Sequence, residues 1–411
     1  MGRRRSIPLL LVLFVANISL ALPATAQRTD GISSAQVKAQ AVPVTPNSGS
    51  PVAVPLPSSI NQASSCTTLR QNLRALAQEG EDAALCVEPK NTIEKGADLR
   101  LPQGLGPSGG APDQVFCQTL DWNVLWAFRY QGCRYNVLHV ELLQVPQGTV
   151  LGTAEVVAIE LIDTFKLNRH WTTKLFVNMY QATGIMLAGA SINTWTLCVS
   201  SADCYKKFES PVEAQVPLVL HQPLDGIWTF ASDLVSHTLN ATQWINLRFS
   251  HPTSNHSASY GLGVSVRCDT EFASQGGGCV FPSFTPTFVL DSNLPEVDES
   301  AHHILVAQDE LIHHPGLRGF GLPLNRLANQ VLSDRNRETA CEGFVPAEPG
   351  DSCDEYPFAS TYQGADMAGP GRFSVASVNL NDNITTGSRL IAFYREQRVL
   401  DRDPFWVHII E

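Results

Sequence analysis

Residues 135–162 read YNVLHVELLQVPQGTVLGTAEVVAIELI. Two runs rich in Val, Ile and Leu, 135–143 and 153–162, are separated by a stretch holding Pro146 and Gly148, the residue types that interrupt regular structure and turn the chain. The pair predicts two antiparallel strands. Further short runs rich in Val, Ile, Thr, Trp and Tyr follow the same plan at 123–130, 172–180, 195–199, 216–220, 244–249 and 260–266. Repeated strands with turns between them predict an antiparallel β-sandwich over residues 113–274.

The chain changes character on both sides of this region. Residues 28–65 contain Pro43, Pro46, Pro51, Pro55 and Pro57 and no aromatic side chain, the composition of a flexible linker. Cys66 and Cys86 then bracket a segment with a helical rhythm at Leu69, Leu73 and Leu76, closed by a Pro/Gly-rich connector at 101–112. Residues 27–112 are therefore expected to be a linker carrying one small stapled segment. At the start, Arg3, Arg4 and Arg5 precede an apolar run at 7–22 and the small-residue site Ala24-Thr25-Ala26, which predicts a secretory signal peptide over 1–26. No later stretch reaches the roughly 18 apolar residues of a membrane span. The expected product is a secreted chain without a membrane span.

After the sandwich come helical stripes at Ile304, Ala307 and Leu311, at Leu324, Leu327, Val331 and Leu332, and at Leu390, Phe393 and Tyr394, with strands expected at 373–378 and 406–410. They describe a compact α+β unit over 275–411, so the expected fold class is multidomain, a β-sandwich followed by a small α+β domain. Residues 280–411 carry 9 basic side chains, all Arg, and 19 acidic ones, which accounts for nearly all of the chain's net charge of -11. Such a surface repels phosphate at long range, so contact with nucleic acid there would need a bound cation or a local Arg patch. Arg318, Arg326, Arg335 and Arg337 are the densest such group, although the last two also suit the C-terminal end of a helix.

Ten cysteines allow too many pairings to deduce. Sequence neighbours would close short loops as Cys66 with Cys86, Cys117 with Cys133, Cys198 with Cys204, Cys268 with Cys279, and Cys341 with Cys353. No Cys-x-x-Cys occurs, and export favours disulfides over zinc. Gly-x-Ser-x-Gly, His-Glu-x-x-His and phosphate-loop signatures are also absent. His302-His303 and His313-His314 look metal-like, but adjacent helical residues point about 100° apart, so one of each pair is expected to face solvent. The segment at 341–365 is denser in chemistry: Asp354 and Glu355 follow Cys353, and Pro357 holds Tyr356 extended. In an extended stretch the two carboxylates project to opposite faces. An acidic pair of this kind is either a solvated turn or the start of a metal or water site.

The string 352–361, SCDEYPFAST, followed by Gln363-Gly364-Ala365, Asp382-Asn383 and Gly387-Ser388, and by the closing stretch 393–405, resembles the NucA/NucB-type deoxyribonuclease domain of secreted bacterial proteins. The likeness covers about 275–411, with 301–304 and 324–327 fitting the first helices. It implies non-specific endonucleolytic hydrolysis of extracellular DNA assisted by a divalent cation, Mg²⁺ or Mn²⁺. Asp354 and Glu355 match the acidic pair of the motif, and Asp382 and Asn383 its Asp-Asn turn at the head of the last helix. The resemblance thus nominates Asp354, Glu355, Asp382 and Asn383 as metal ligands, and Asp354 and Glu355, with His303 or Gln363, as catalytic groups. Being confined to the tail, it also implies that 275–411 folds and cuts DNA alone. Departures are visible: Tyr362-Gln363 stands where small family members carry two Glu, and Asn383-Ile384-Thr385 where they carry Asn-Arg-Gly. The competing reading is a secreted binding protein whose sandwich engages a surface or glycan ligand and whose tail is catalytically silent.

Overall fold

The computed structural model describes residues 51–54, 65–90, 121–199, 204–210, 215–233, 238–272, 275–369 and 371–411. The expected signal peptide, most of the expected linker and Cys117 lie outside them. The hairpin read from residues 135–162 is present as β4 (Gln131–Gln144) and β5 (Val150–Thr164), paired antiparallel from Gln131–Asp163 to Leu143–Val150. Its turn is closed by the Gly148 amide donating to the Gln144 carbonyl at 2.8 Å. Both strands are buried along almost their whole length. One face joins a core with Leu138, Val156 and Trp171, and the other a second cluster with Tyr135, Val157, Ile159 and Phe176. Burial on both faces explains why apolar residues fall on either side of these runs instead of alternating with polar ones, and the polar residues within them are paired, as His139 is with Glu155 at 2.6 Å.

Around this hairpin the described strands are, in chain order, β1 (Val52–Val54), β2 (Ala83–Pro89), β3 (Leu125–Ala127), β6 (His170–Gly184), β7 (Ser191–Val199), β8 (Cys204–Ser210), β9 (Val216–Pro217), β10 (Leu224–Ser232), β11 (Thr238–His251), β12 (Ser254–Asp269) and β13 (Gly278–Val280). Each run read as a strand contains one. Ten of the strands form a path β8-β10-β6-β5-β4-β2-β12-β11-β7-β9, in which β2 meets β12 through the single parallel pair Ala84–His256. The sheet curls so that residues of β6 and β11 share one core. There the Trp171 indole donates to Gln243, and the Gln243 amide donates to Thr173 Oγ1 at 2.5 Å. The architecture is thus mostly β, built on one large curled sheet.

The Cys66–Cys86 segment joins this sheet. Helix α1 (Cys66–Gln78) carries the Leu69 and Leu73 stripe inward, and β2, which holds Cys86, pairs with β4 over seven residues. Disulfides Cys66–Cys86, Cys198–Cys204, Cys268–Cys279 and Cys341–Cys353 are formed, and the pair expected between Cys117 and Cys133 falls outside the described residues at Cys117.

The C-terminal region contains β14 (Thr287–Asp291), α2 (Asp298–Glu310), β15 (Leu324–Asn325), α3 (Gln330–Ala340), β16 (Asp351–Tyr356), α4 (Ala365–Ala368), β17 (Ser374–Asn379), α5 (Leu380–Glu396) and β18 (Pro404–Ile410). The stripe read from Leu324 to Leu332 is not one helix. Leu324 lies in a strand against Phe405, and α3 begins only after Asn329, whose side chain accepts the Leu332 amide at 3.2 Å. β14 and β18 pair in parallel, and β16 and β17 form a separate antiparallel hairpin. Phe288, Ile304, Leu324, Tyr356, Phe393 and Phe405 share the core between these elements.

A seam of buried arginines joins this region to the sheet. Arg398 is fully buried and donates to both carboxylate oxygens of Asp269, which is itself fully buried, and to the Lys166 carbonyl at 2.7 Å. Arg267 donates to Asp403 Oδ1 at 2.7 Å and to the Arg398 carbonyl at 2.6 Å. Arg129 donates to the carbonyls of Gln397 and Arg398 at 2.7 and 2.8 Å, and to that of Phe284 at 3.1 Å. The described residues accordingly belong to one compact unit. Among them, no helix is long and apolar enough to cross a membrane.

Candidate active site

Strand β16 sets out the acidic pair. Its register places Asp354 opposite Ala376 and Glu355 opposite Val375, so successive side chains leave on opposite faces, as an extended strand requires. Asp354 is 7% exposed, and its Oδ2 lies 2.8 Å from Nδ1 of His303 on α2. Glu355 turns toward α3, where its Oε1 lies 3.5 Å from Nε of the exposed Arg337. Cys341, at the end of α3, is bonded to Cys353 next to both carboxylates, so the disulfide fixes the strand against this helix.

The turn after β16 is held as firmly. Asn336 on α3 donates to the carbonyls of Ala359 and Thr361 at 2.8 and 3.1 Å. Gly364 is needed for that approach: a Cβ there would lie 2.3 Å from Asn336 Nδ2. Asn383, in the first turns of α5, donates its amide to Ser352 Oγ at 3.1 Å and to the Cys353 carbonyl at 2.9 Å, bonds that do not use its Oδ1. Asp354, Glu355, Asn383, Arg337 and Arg326 all border one cleft of about 350 Å³ between α3 and α5.

Electrostatics separate the carboxylates. Burial pushes the Glu355 carboxyl up to about 7, with Asp354 adding to the rise and Arg337 opposing it. A carboxyl poised near neutrality can exchange a proton with water at physiological pH. Asp382 lies apart from the cleft. Its Oδ2 accepts the Glu299 amide at 3.3 Å, and desolvation with the neighbouring Asp298 and Glu299 charges raises it to about 6 against that hydrogen bond.

Other nominated residues scatter. Gln363 does not border the cleft; its side chain pairs with Asn325, accepting from the backbone amide and donating to Oδ1, both at 2.9 Å. Tyr362 donates to Asp401 at 3.1 Å. Arg318 and Arg335 are exposed and away from the cleft. Arg326 reaches it, but its guanidinium is held by the Val399 carbonyl and stacked 4.9 Å from the Tyr394 ring and 5.1 Å from that of Phe272. His302 is exposed while His303 is buried, as the helical geometry implied. His314 Nδ1 takes part in a hydrogen bond with the Gln308 carbonyl at 2.7 Å and shares no site with the carboxylates. Ser374, 3.0 Å from His303 Nε2, was not foreseen. A lone serine at the start of a short strand carries no sequence signal.

A divalent metal can be tested against these donors. Among the described residues, the two clusters of three potential ligands each contain a disulfide pair, Cys66 with Cys86 beside Glu141 and Cys341 with Cys353 beside Glu355, so neither offers three free ligands. The cleft instead offers oxygen donors on Asp354 and Asn383. That set fits a hard cation of the Mg²⁺ type, which is usually held by one or two protein oxygens, with water and substrate phosphate filling the remaining positions.

Two carboxyls, an amide and two arginines thus border one cleft. The comparison with known families is more particular: residues 325–408 match the Deoxyribonuclease NucA/NucB family. The C-terminal region carries a NucA/NucB-type nuclease domain, and the match includes Asp354, Glu355, Asp382 and Asn383 but not His303. No curated protein matches the sequence.

Proposed function

We propose that the chain is a secreted, divalent-metal-dependent endonuclease that hydrolyses extracellular DNA. The observation that carries this reading is Glu355, a carboxyl raised to about 7 in a cleft it shares with Asn383 and Arg337, inside the region of the family match. Asp354 and Asn383 would hold the cation. When bound, it would neutralise the scissile phosphate and the leaving oxygen. Glu355 accepts the proton of the attacking water, and Arg337 faces phosphate with a guanidinium suited to charge-assisted hydrogen bonds. The net negative charge of residues 280–411 opposes DNA at long range, so the cation and Arg337 must supply local attraction. Four disulfides suit an oxidising compartment.

Incubation of the oxidised chain with plasmid DNA, with Mg²⁺, with Mn²⁺ and with a chelator, tests the reading. Cutting that needs the cation supports it; intact plasmid in every tube would favour a silent tail attached to a β-rich binding protein. The side chains of Tyr362 and Gln363 are already engaged with Asp401 and Asn325, so neither replaces a missing carboxylate in this site.

A further inference from the structure

On the nuclease reading, which it deepens by placing the substrate, we propose that a DNA strand crosses helix α5 at Gly387, its sugar edge against this helix and its phosphates toward α3. The two helices wall the cleft. From α3 come Gln330, Ser333 and Arg337, polar side chains at i, i+3 and i+7, and from α5 come Asn383, Gly387 and Ile391, at i, i+4 and i+8. The α3 row therefore carries hydrogen-bond donors and a positive charge, whereas the α5 row beyond Asn383 carries no polar side chain.

Gly387 is the unexpected member of that row. It sits in the interior of the 17-residue helix, where glycine is less stable than alanine because it gives up more backbone freedom on folding. Neither ordinary reason for a glycine holds there. Its backbone is helical and not left-handed. Apart from its chain neighbours and the backbone of its own helix, a Cβ on Gly387 would meet no atom within 4 Å, in contrast to Gly364, whose Cβ would run into Asn336. The protein's own packing makes no use of the missing side chain, and the space it leaves open belongs to the cleft. Ile384 and Ile391, 57% and 52% exposed, flank the position at i-3 and i+4 and turn it into a notch between two apolar side chains. A nucleic-acid backbone alternates charged phosphates with largely apolar sugars. The phosphates need donors and find them on Ser333 and Arg337; the sugars need none and fit the notch. Close approach of a ligand to the helix backbone is the use of glycine that remains.

The test places Gly387→Ala and Gly387→Leu in the full oxidised chain, each alone and together with Glu355→Gln. Alanine and leucine are both strong helix formers, so both single variants should melt about 1 °C above the parent while the side chain grows into the cleft. Binding of a labelled single-stranded oligonucleotide in Mg²⁺, measured on the Glu355→Gln proteins so that cutting is suppressed, is expected to weaken about 5-fold with alanine and about 100-fold with leucine. Plasmid cleavage by the single variants should lose kcat/KM in the same order. Arg337→Met on the Glu355→Gln background should lower the slope of log affinity against log salt by about 0.7, the share of one phosphate contact on a single strand. Parental affinity in Gly387→Leu overturns the proposal, as does a melting point lowered by Gly387→Ala, which would show that the glycine serves the fold. An unchanged salt slope in Arg337→Met overturns the placing of the phosphates. If the parent neither binds nor cuts DNA, the nuclease reading falls and the proposal with it; if the parent cuts and Gly387→Leu cuts as well, the proposal alone falls.

Discussion

Replacing Glu355 by Gln should silence cleavage and stabilise the protein at the same time, but only in one pH range. The Glu355 carboxyl lies at about 7 in the folded protein against an ordinary value of 4.5, so its ionisation is disfavoured by burial. Below pH 4.5 the group is protonated in both folded and unfolded chains. As pH rises past 4.5 the unfolded chain ionises first, and the native state loses relative stability until pH passes about 7. Above that the cost is complete and corresponds to about 3 kcal/mol. Glutamine stays neutral throughout and keeps the shape of the side chain. The variant should match the parent near pH 4 and exceed it by about 3 kcal/mol at pH 8, raising the Tm of a chain this size by roughly 4 °C. Arg337 is 58% exposed and loses little when its partner becomes neutral. Calorimetry of both proteins at pH 4, 6 and 8, under oxidising conditions, measures the difference. An equal gap at every pH, or a parent more stable than the variant at pH 8, would show that Glu355 is not held protonated by burial and would remove the argument for its role as base.

Glu355→Gln and Asp354→Asn should each lower DNA cleavage by about 10²- to 10⁴-fold without unfolding the chain, read by plasmid nicking and circular dichroism. Arg337→Met removes the charge that holds the Glu355 carboxyl down, so the acid limb of the pH-rate profile should move to higher pH; a limb at the parental position would separate that limb from Glu355. Arg398→Met leaves the buried Asp269 carboxylate without its partner and should cost about 3 to 5 kcal/mol in denaturant unfolding. By the same contacts, a fragment of residues 275–411 should unfold at lower denaturant than the full chain, because Arg398 and Asp403 lose Asp269 and Arg267; equal midpoints would show that these contacts add nothing to the stability of the tail.

Where apolar runs were dense, the sheet was legible, because burial on both faces of β4 and β5 keeps apolar residues in the majority in each. β10 escaped notice: its Asp225-Gly226 reads as a turn, yet both residues pair with β6, at Phe176 and Leu175. Tertiary pairing there overrides local preference. The segment around Leu324 failed the other way, since its helix-like spacing spans a short strand and the approach to α3. Within the site, the period of two along β16 was enough to send Asp354 and Glu355 apart. What joins Asp354 is separated far in sequence: His303 is 51 residues from it, and Ser374 is 71 from His303. Asp382 and Asn383 adjoin at the head of α5, but one helical step turns Asp382 to the α2 terminus and Asn383 to the cleft.

The way Arg129 grips the seam bears on how this protein can vary. Its donors reach the carbonyls of Phe284, Gln397 and Arg398, and a carbonyl is present whatever side chain the residue carries. Through Arg129, the sheet recognises the course of the backbone there instead of the identity of Phe284 or Gln397. As far as this contact is concerned, those two positions can drift while Arg129 cannot, and a diverged catalytic unit following the same path could be seated by the same arginine.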